Sequence, residues 1–201
     1  MPLDSSPKRK PRVVRDAAFA FDGAFARVTA FLQDLGFEVR LDAKVEGFLA
    51  GVEIADGVLC VESSADDLAG ELLHEAGHLA IIPSLFRSSA NGDLSVVSKA
   101  MGEWIDNHIA EVGPDDPMVR AILQCGECEA VAWSYAAATA IGIDTRIPFF
   151  RGFEGDGLAL HDQVASGHHF GVHRLTAGGM TDLPRPHSAT PFPNMKRWCQ
   201  L

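Results

Sequence analysis

His74-Glu75-Ala76-Gly77-His78 is the stretch of this 201-residue chain whose residue types and spacing can do chemistry. On a helix, four residues turn through about 400°, so the two imidazoles leave one face about 6 Å apart along the axis. Two ring nitrogens so placed can reach a single ion at about 2.0–2.1 Å, the length of a zinc–histidine bond. Glu75 falls beside such an ion rather than on it. There a carboxylate can take a proton from an attacking water and pass one to a leaving amine. Zinc in the site would bring the pKa of water toward about 7. The small Ala76 and Gly77 are expected to keep the helix surface open beside the ligands.

Two histidines alone hold zinc weakly, and a catalytic zinc site takes three protein ligands with one position left open. The segment Cys125-Gly126-Glu127-Cys128-Glu129-Ala130-Val131-Ala132-Trp133 offers two carboxylates about 200° apart on a helix, so only one can face the ion. Glu129 shares its face with Ala132, Trp133 and Ala136, and the alanines would permit close approach. Glu127 shares its face with Val131 and Ser134. Glu129 is therefore the expected third ligand, and Glu127 the alternative. An oxyanion formed during hydrolysis needs a further donor. His161 and His173 are the candidates, with Tyr135 a poorer one because it lies about 120° from Glu129 on the same helix.

Other reactive residue types have blander readings. Cys125 and Cys128 lack both a second cysteine pair and the strand–motif–helix setting of a redox site, so they read as buried thiols, Cys125 bordering the zinc pocket. His168, His169 and His173 have no acidic residue at ligand spacing, and Gly171 argues against a helix there; they read as loop histidines. Asp106 and His108, with Glu103 and Glu111, read as an exposed helix face.

The elements that position these groups follow from periodicity. Phe21, Phe25, Val28, Leu32 and Leu35 recur at helical intervals over 17–35, closed by Gly36. Phe37 to Leu41 alternates like a half-buried strand, and further strands near Phe48 to Ile54 and Val58 to Glu62 flank Asp56-Gly57, a hairpin signal. The motif helix should run from about Asp66 to Ile82 and stop before Pro83. Helices are expected over 96–112 and, without interruption, over 117–142. Residues 145–201 read as an irregular, loop-rich extension.

The order of amphipathic helix, hairpin, motif helix and a later helix bearing Glu-Ala resembles the ImmA/IrrE family of small zinc peptidases. The match runs from Gly51 through Val61 into Leu72-Leu73-His74-Glu75-Ala76-Gly77-His78-Leu79. It resumes at Glu129-Ala130-Val131-Ala132-Trp133 and continues through Ala138, where the family has Glu-Ala-Asn and then an aromatic residue. Residues 20 to 140 are covered. The resemblance implies a zincin-like fold and a gluzincin-type peptidase in which His74, His78 and Glu129 hold zinc and Glu75 is the base; some members of that family cleave transcriptional repressors. The chain departs from the pattern in three places. Glu129 follows His78 by 51 residues, which implies an inserted helical segment; asparagine is absent after Ala130; and Ala-Ala-Ala-Thr replaces a Leu-Leu-Met-Pro-like continuation. No helix-turn-helix module is evident.

Composition sets the outer bounds. Hydrophobic residues make up 47% and charged residues 22%, the balance of a globular protein. The net charge is −10, yet Lys8, Arg9, Lys10, Arg12 and Arg15 crowd the first fifteen residues, so the body is more acidic than the whole. An acidic body repels phosphate backbones, which makes nucleic acid an unfavoured partner. Residues 1–15 read as a disordered basic tail and 16–201 as one domain. No apolar run reaches the roughly 20 residues of a membrane span. No secretory signal is evident and four scattered cysteines make no disulfide framework, so the expected compartment is the cytoplasm. Together these readings give an α+β, zincin-like fold with a small mixed or antiparallel sheet packed on helices. The expected activity is zinc-dependent hydrolysis of peptide bonds in a protein or peptide substrate. The alternative is a non-catalytic zinc-binding regulatory or interaction module.

Overall fold

A computed structural model describes residues 23–42, 45, 51–64, 66–149 and 157–201. The basic tail, Phe21 and the expected strand start near Phe48 lie outside the described residues. Asp56-Gly57 makes the turn its chemistry favours. Asp56 has φ 51° and Gly57 φ 79°, both left-handed, as a two-residue hairpin requires. A Cβ at Gly57 would also lie 2.7 Å from the Arg87 carbonyl oxygen. The turn joins β2 (Val52–Ala55) antiparallel to β3 (Val58–Val61), with Ala55 opposite Val58. β1 (Val39–Leu41) pairs parallel on the other side of β3, giving a mixed sheet ordered β1-β3-β2.

Helix α1 (Ala24–Asp34) buries Phe25, Val28 and Leu32, and the expected helical residues 17–22 lie outside the described residues. It closes at Gly36 (φ 86°), where the Gly36 N–H reaches the Gln33 carbonyl and the Phe37 N–H reaches that of Leu32, the paired bonds of a Schellman ending. The motif helix α2 (Ala69–Ile81) follows a single 3₁₀ turn, Asp66–Leu68. Pro83 ends it by forcing Ile82 into an extended conformation (φ −70°, ψ 127°). Beyond it come α3 (Ser84–Arg87), α4 (Ser95–Val112), α5 (Pro117–Leu123) and α6 (Glu127–Ile141).

Residues 117–142 do not form one helix. Asp116 caps α5, its carboxylate accepting from the Met118 and Val119 N–H groups, and the chain breaks at Gln124–Gly126 before α6 begins. Gly126 is extended (φ −146°, ψ 175°), a conformation no helix interior admits. The C-terminal segment is also more regular than expected. It contains α7 (Gly157–Ala165) and α8 (Phe170–Ala177), then an irregular stretch whose Trp198 packs edge-on to Trp133 and Phe31. The Trp133 indole N–H donates to the Trp198 carbonyl at 2.8 Å, tying this stretch to the centre of the fold.

The architecture is thus mixed α+β. Helix α2 packs against α1, against strands β2 and β3, and against α6. Both α2 and α6 are buried nearly all round, and they come close together at Gly77, where a Cβ would lie 2.7 Å from the Ala130 carbonyl oxygen. Gly77 therefore seats α6 and Ala76 is fully buried, so neither leaves open surface. Gly77→Ala should destabilise the metal-free protein by about 1–3 kcal/mol in denaturant titrations, outweighing the ~1 kcal/mol that alanine gains in helix propensity. An unchanged midpoint would show that the two helices can separate freely. Among the described residues, no helix is long and apolar enough to cross a membrane.

Candidate metal centre

Helix α2 presents His74 and His78 as the motif spacing requires. Their ring centroids lie 4.9 Å apart with planes at 84°, and the two Nε2 atoms are 3.3 Å apart. The third group is Glu127. Its Oε1 lies 3.3 Å from the Nε2 of His74 and its Oε2 3.2 Å from that of His78. These three residues are the group of histidine, cysteine and carboxylate side chains, among the described residues, whose ligand atoms converge closely enough for one ion.

The spacing itself tests the fit. Ligands at 2.0–2.1 Å in tetrahedral array stand about 3.3–3.4 Å from one another. The nearest separations, 3.3 Å between the imidazoles and 3.2–3.3 Å from each imidazole to its own oxygen of Glu127, lie close to that length. Two neutral imidazole nitrogens and a carboxylate are also the donor set that suits zinc, with a fourth position left open.

The expected ligand Glu129 is placed elsewhere. It is 1% exposed and its Oε1 accepts from Nε of Arg174 on α8. The face of α6 that meets α2 is that of Ala130, and Glu127, three residues earlier, shares that face while Glu129 does not. Because α6 is apolar on every side beyond its first turn, no amphipathic phase marks which face meets the motif. The available signal was Gly126, a helix breaker that makes Glu127 the first helical residue and so aims it out of the helix end.

Charge and burial suit the roles of these groups. Burial first, and then the neighbouring His78, push the His74 imidazole down to about 4, against an opposing pull from Glu127. His74 is therefore neutral at neutral pH, the form that binds metal. A hydrogen bond from His78 holds the Glu127 carboxyl below the usual carboxylate range. For Glu75, burial raises the carboxyl above that range; His78 opposes this and Glu127 adds to it. The Glu127 side chain is 59% exposed, so the cluster opens to solvent on that side.

A cavity of about 20 Å³ adjoins His78, walled by Ile81, Val97, Met101 and Cys125. The Cys125 thiol points to the α2 end, donating to the Ile81 carbonyl at 2.8 Å. Burial, with the Glu129 carboxylate adding to it against Arg174, pushes that thiol up to about 12. Alkylation of Cys125 at pH 8 should run roughly tenfold or more slower in folded than in unfolded protein, measured by mass spectrometry of digests. Equal rates would restore a reactive thiol at the site.

The other candidates do not join the cluster. Both ring nitrogens of His161 are engaged, with the Thr145 hydroxyl and with Asp162, each at 3.0 Å. His173 is exposed on α8. His169 is buried and caps α8, its Nδ1 accepting from the Gly171 N–H, so of the three expected loop histidines His173 is helical while His168 and His169 lie in the segment before the helix. Tyr135 packs among Phe149, His161 and Phe192. His108 stacks on Trp104, and Asp106 is exposed. Comparison with protein-family models, with curated proteins and with solved structures finds no match.

Proposed function

We propose that the chain is a zinc metallopeptidase with a zincin-like fold, in which His74, His78 and Glu127 hold the ion and Glu75 is the catalytic base, acting on a protein or peptide substrate. The observation that carries this reading is the convergence of His74, His78 and Glu127, whose nearest ligand atoms lie 3.2–3.3 Å apart, next to the half-buried Glu75, a carboxyl that both His78 and Glu127 influence. Zinc bound there supplies a Lewis acid that polarises a carbonyl and acidifies water.

The rest is work for the chain's own side chains. Glu75 takes a proton from the attacking water as the C–O bond forms, and its raised carboxyl pKa makes it a better acceptor than a solvated glutamate. The same proton then passes to the departing amine nitrogen as the C–N bond breaks, which returns Glu75 to its carboxylate form. His74 stays neutral, as its burial favours, and Glu127 keeps its charge. The resemblance to the ImmA/IrrE family supports a protein substrate, with the third-ligand role moved from Glu129 to Glu127. The acidic body disfavours a nucleic-acid substrate, and the sequence features read above favour a cytoplasmic setting.

Elemental analysis of protein purified without chelators or added metal tests the reading. About one zinc per chain is expected. No zinc, and none taken up on reconstitution, would remove the enzyme.

A further inference from the structure

Helix α8 lies across the first turn of α6, the turn that carries Glu127. Gly171 allows the contact: a Cβ there would lie 1.8 Å from the Cys128 carbonyl oxygen, closer than any two such atoms can come. One turn on, Arg174 reaches two places at once. Its Nε donates to Glu129 Oε1, and its Nη2 donates to the Leu123 carbonyl at the end of α5. Its guanidinium also lies 5.3 Å from the Phe170 ring centroid. A single side chain therefore spans the break at Gln124–Gly126, tying the last residue of α5 to the first turn of α6.

We propose that Arg174, through Glu129, is a positioning residue for the third metal ligand. This rests on the metal centre described above and adds to it a purpose for the C-terminal segment. The reasoning is mechanical. Glu127 is the first residue of α6, its side chain more than half exposed, and it follows three residues that form no helix. Its side chain meets His74 and His78, the other two ligands, but those contacts do not fix the backbone it projects from. Glu129 lies two residues away in the same turn and is buried, so fixing Glu129 fixes the backbone from which Glu127 projects. A planar guanidinium can hold a carboxylate and a carbonyl in set directions at once, whereas an ammonium acts as a point charge. Groups that orient a metal ligand from behind typically change affinity by 10–100-fold when removed.

Zinc affinity, measured by chelator competition on the full chain, tests this, together with the cobalt absorption spectrum and thermal unfolding of the metal-free protein. Arg174→Ala should weaken zinc binding by about 10–100-fold and reduce the intensity of the tetrahedral cobalt bands. Arg120→Ala, which removes a bond to the Ala177 carbonyl at the far end of α8, should leave both unchanged. Because Arg174→Ala buries an unpaired carboxylate and can fail to fold, the double variant Glu129→Leu with Arg174→Met provides a second route: apolar replacement of a buried pair commonly preserves stability. It should unfold near the wild-type temperature yet still bind zinc about 10-fold or more weakly.

Zinc affinity within threefold of wild type in Arg174→Ala, or recovery of affinity along with stability in the double variant, would show that the pair only supports the fold. A wild-type chain that takes up no zinc at all would instead sink the metal centre, and this inference with it.

Discussion

Glu75→Gln should lower kcat for peptide hydrolysis by about 10²–10⁴-fold while zinc stoichiometry and affinity stay at wild-type values. The separation of the two effects follows from position. Glu75 is adjacent to His74 in sequence, yet the converging ligand atoms come from His74, His78 and Glu127. An amide of the same shape keeps the packing of a half-buried side chain but offers no carboxylate to receive a proton. Any substrate cleaved at equal rates by both proteins would remove Glu75 from the chemistry. Loss of zinc together with activity would make it a ligand rather than a base.

The second large effect concerns Glu127. Glu127→Ala should weaken zinc binding by about a hundredfold to several hundredfold, since a structural zinc site is worth about 10–16 kcal/mol, or about 2.5–4 kcal/mol for each of four ligands. The measurement is chelator competition on the two proteins. Glu129→Gln, which keeps an oxygen acceptor for Arg174, should cost far less. The reverse order, with Glu129 dominant, would mean that the first turn of α6 sits in a different rotation from the one described.

That pair of carboxylates also marks where the sequence stopped being legible. The motif helix, its end at Pro83, the Asp56-Gly57 hairpin and the closing glycine at Gly36 each rest on local rules, and the structure has each within a few residues of its expected place. Local rules suffice there because one backbone preference decides each feature. The choice between Glu127 and Glu129 depends instead on which face of α6 meets α2. Helix α6 is buried on nearly every side, so its sequence carries no phase to read. The deciding contacts are Gly77 on Ala130 and Arg174 on Glu129, with the latter partners 45 residues apart in sequence. No local pattern links them.

The C-terminal segment shows the same limit. Its glycines and prolines suggest loops, and much of 180–201 is indeed irregular. Gly171, however, sits inside α8 because only a residue without a side chain fits against the Cys128 carbonyl. A glycine kept for close packing looks, in sequence, the same as one kept for a turn. His161 and His173 were attractive as donors for a similar reason: histidine chemistry is visible in sequence, but whether the ring nitrogens of His161 are already engaged by Thr145 and Asp162 is not.

The central claim is that one ion sits between two imidazoles of α2 and the leading carboxylate of α6. Anomalous diffraction at the zinc edge, from crystals grown with added zinc, tests it most directly. One peak about 2.0–2.1 Å from Nε2 of His74, Nε2 of His78 and a carboxylate oxygen of Glu127 is the predicted result. A map with no peak between those three residues, or a peak bonded to Glu129 in place of Glu127, would contradict it.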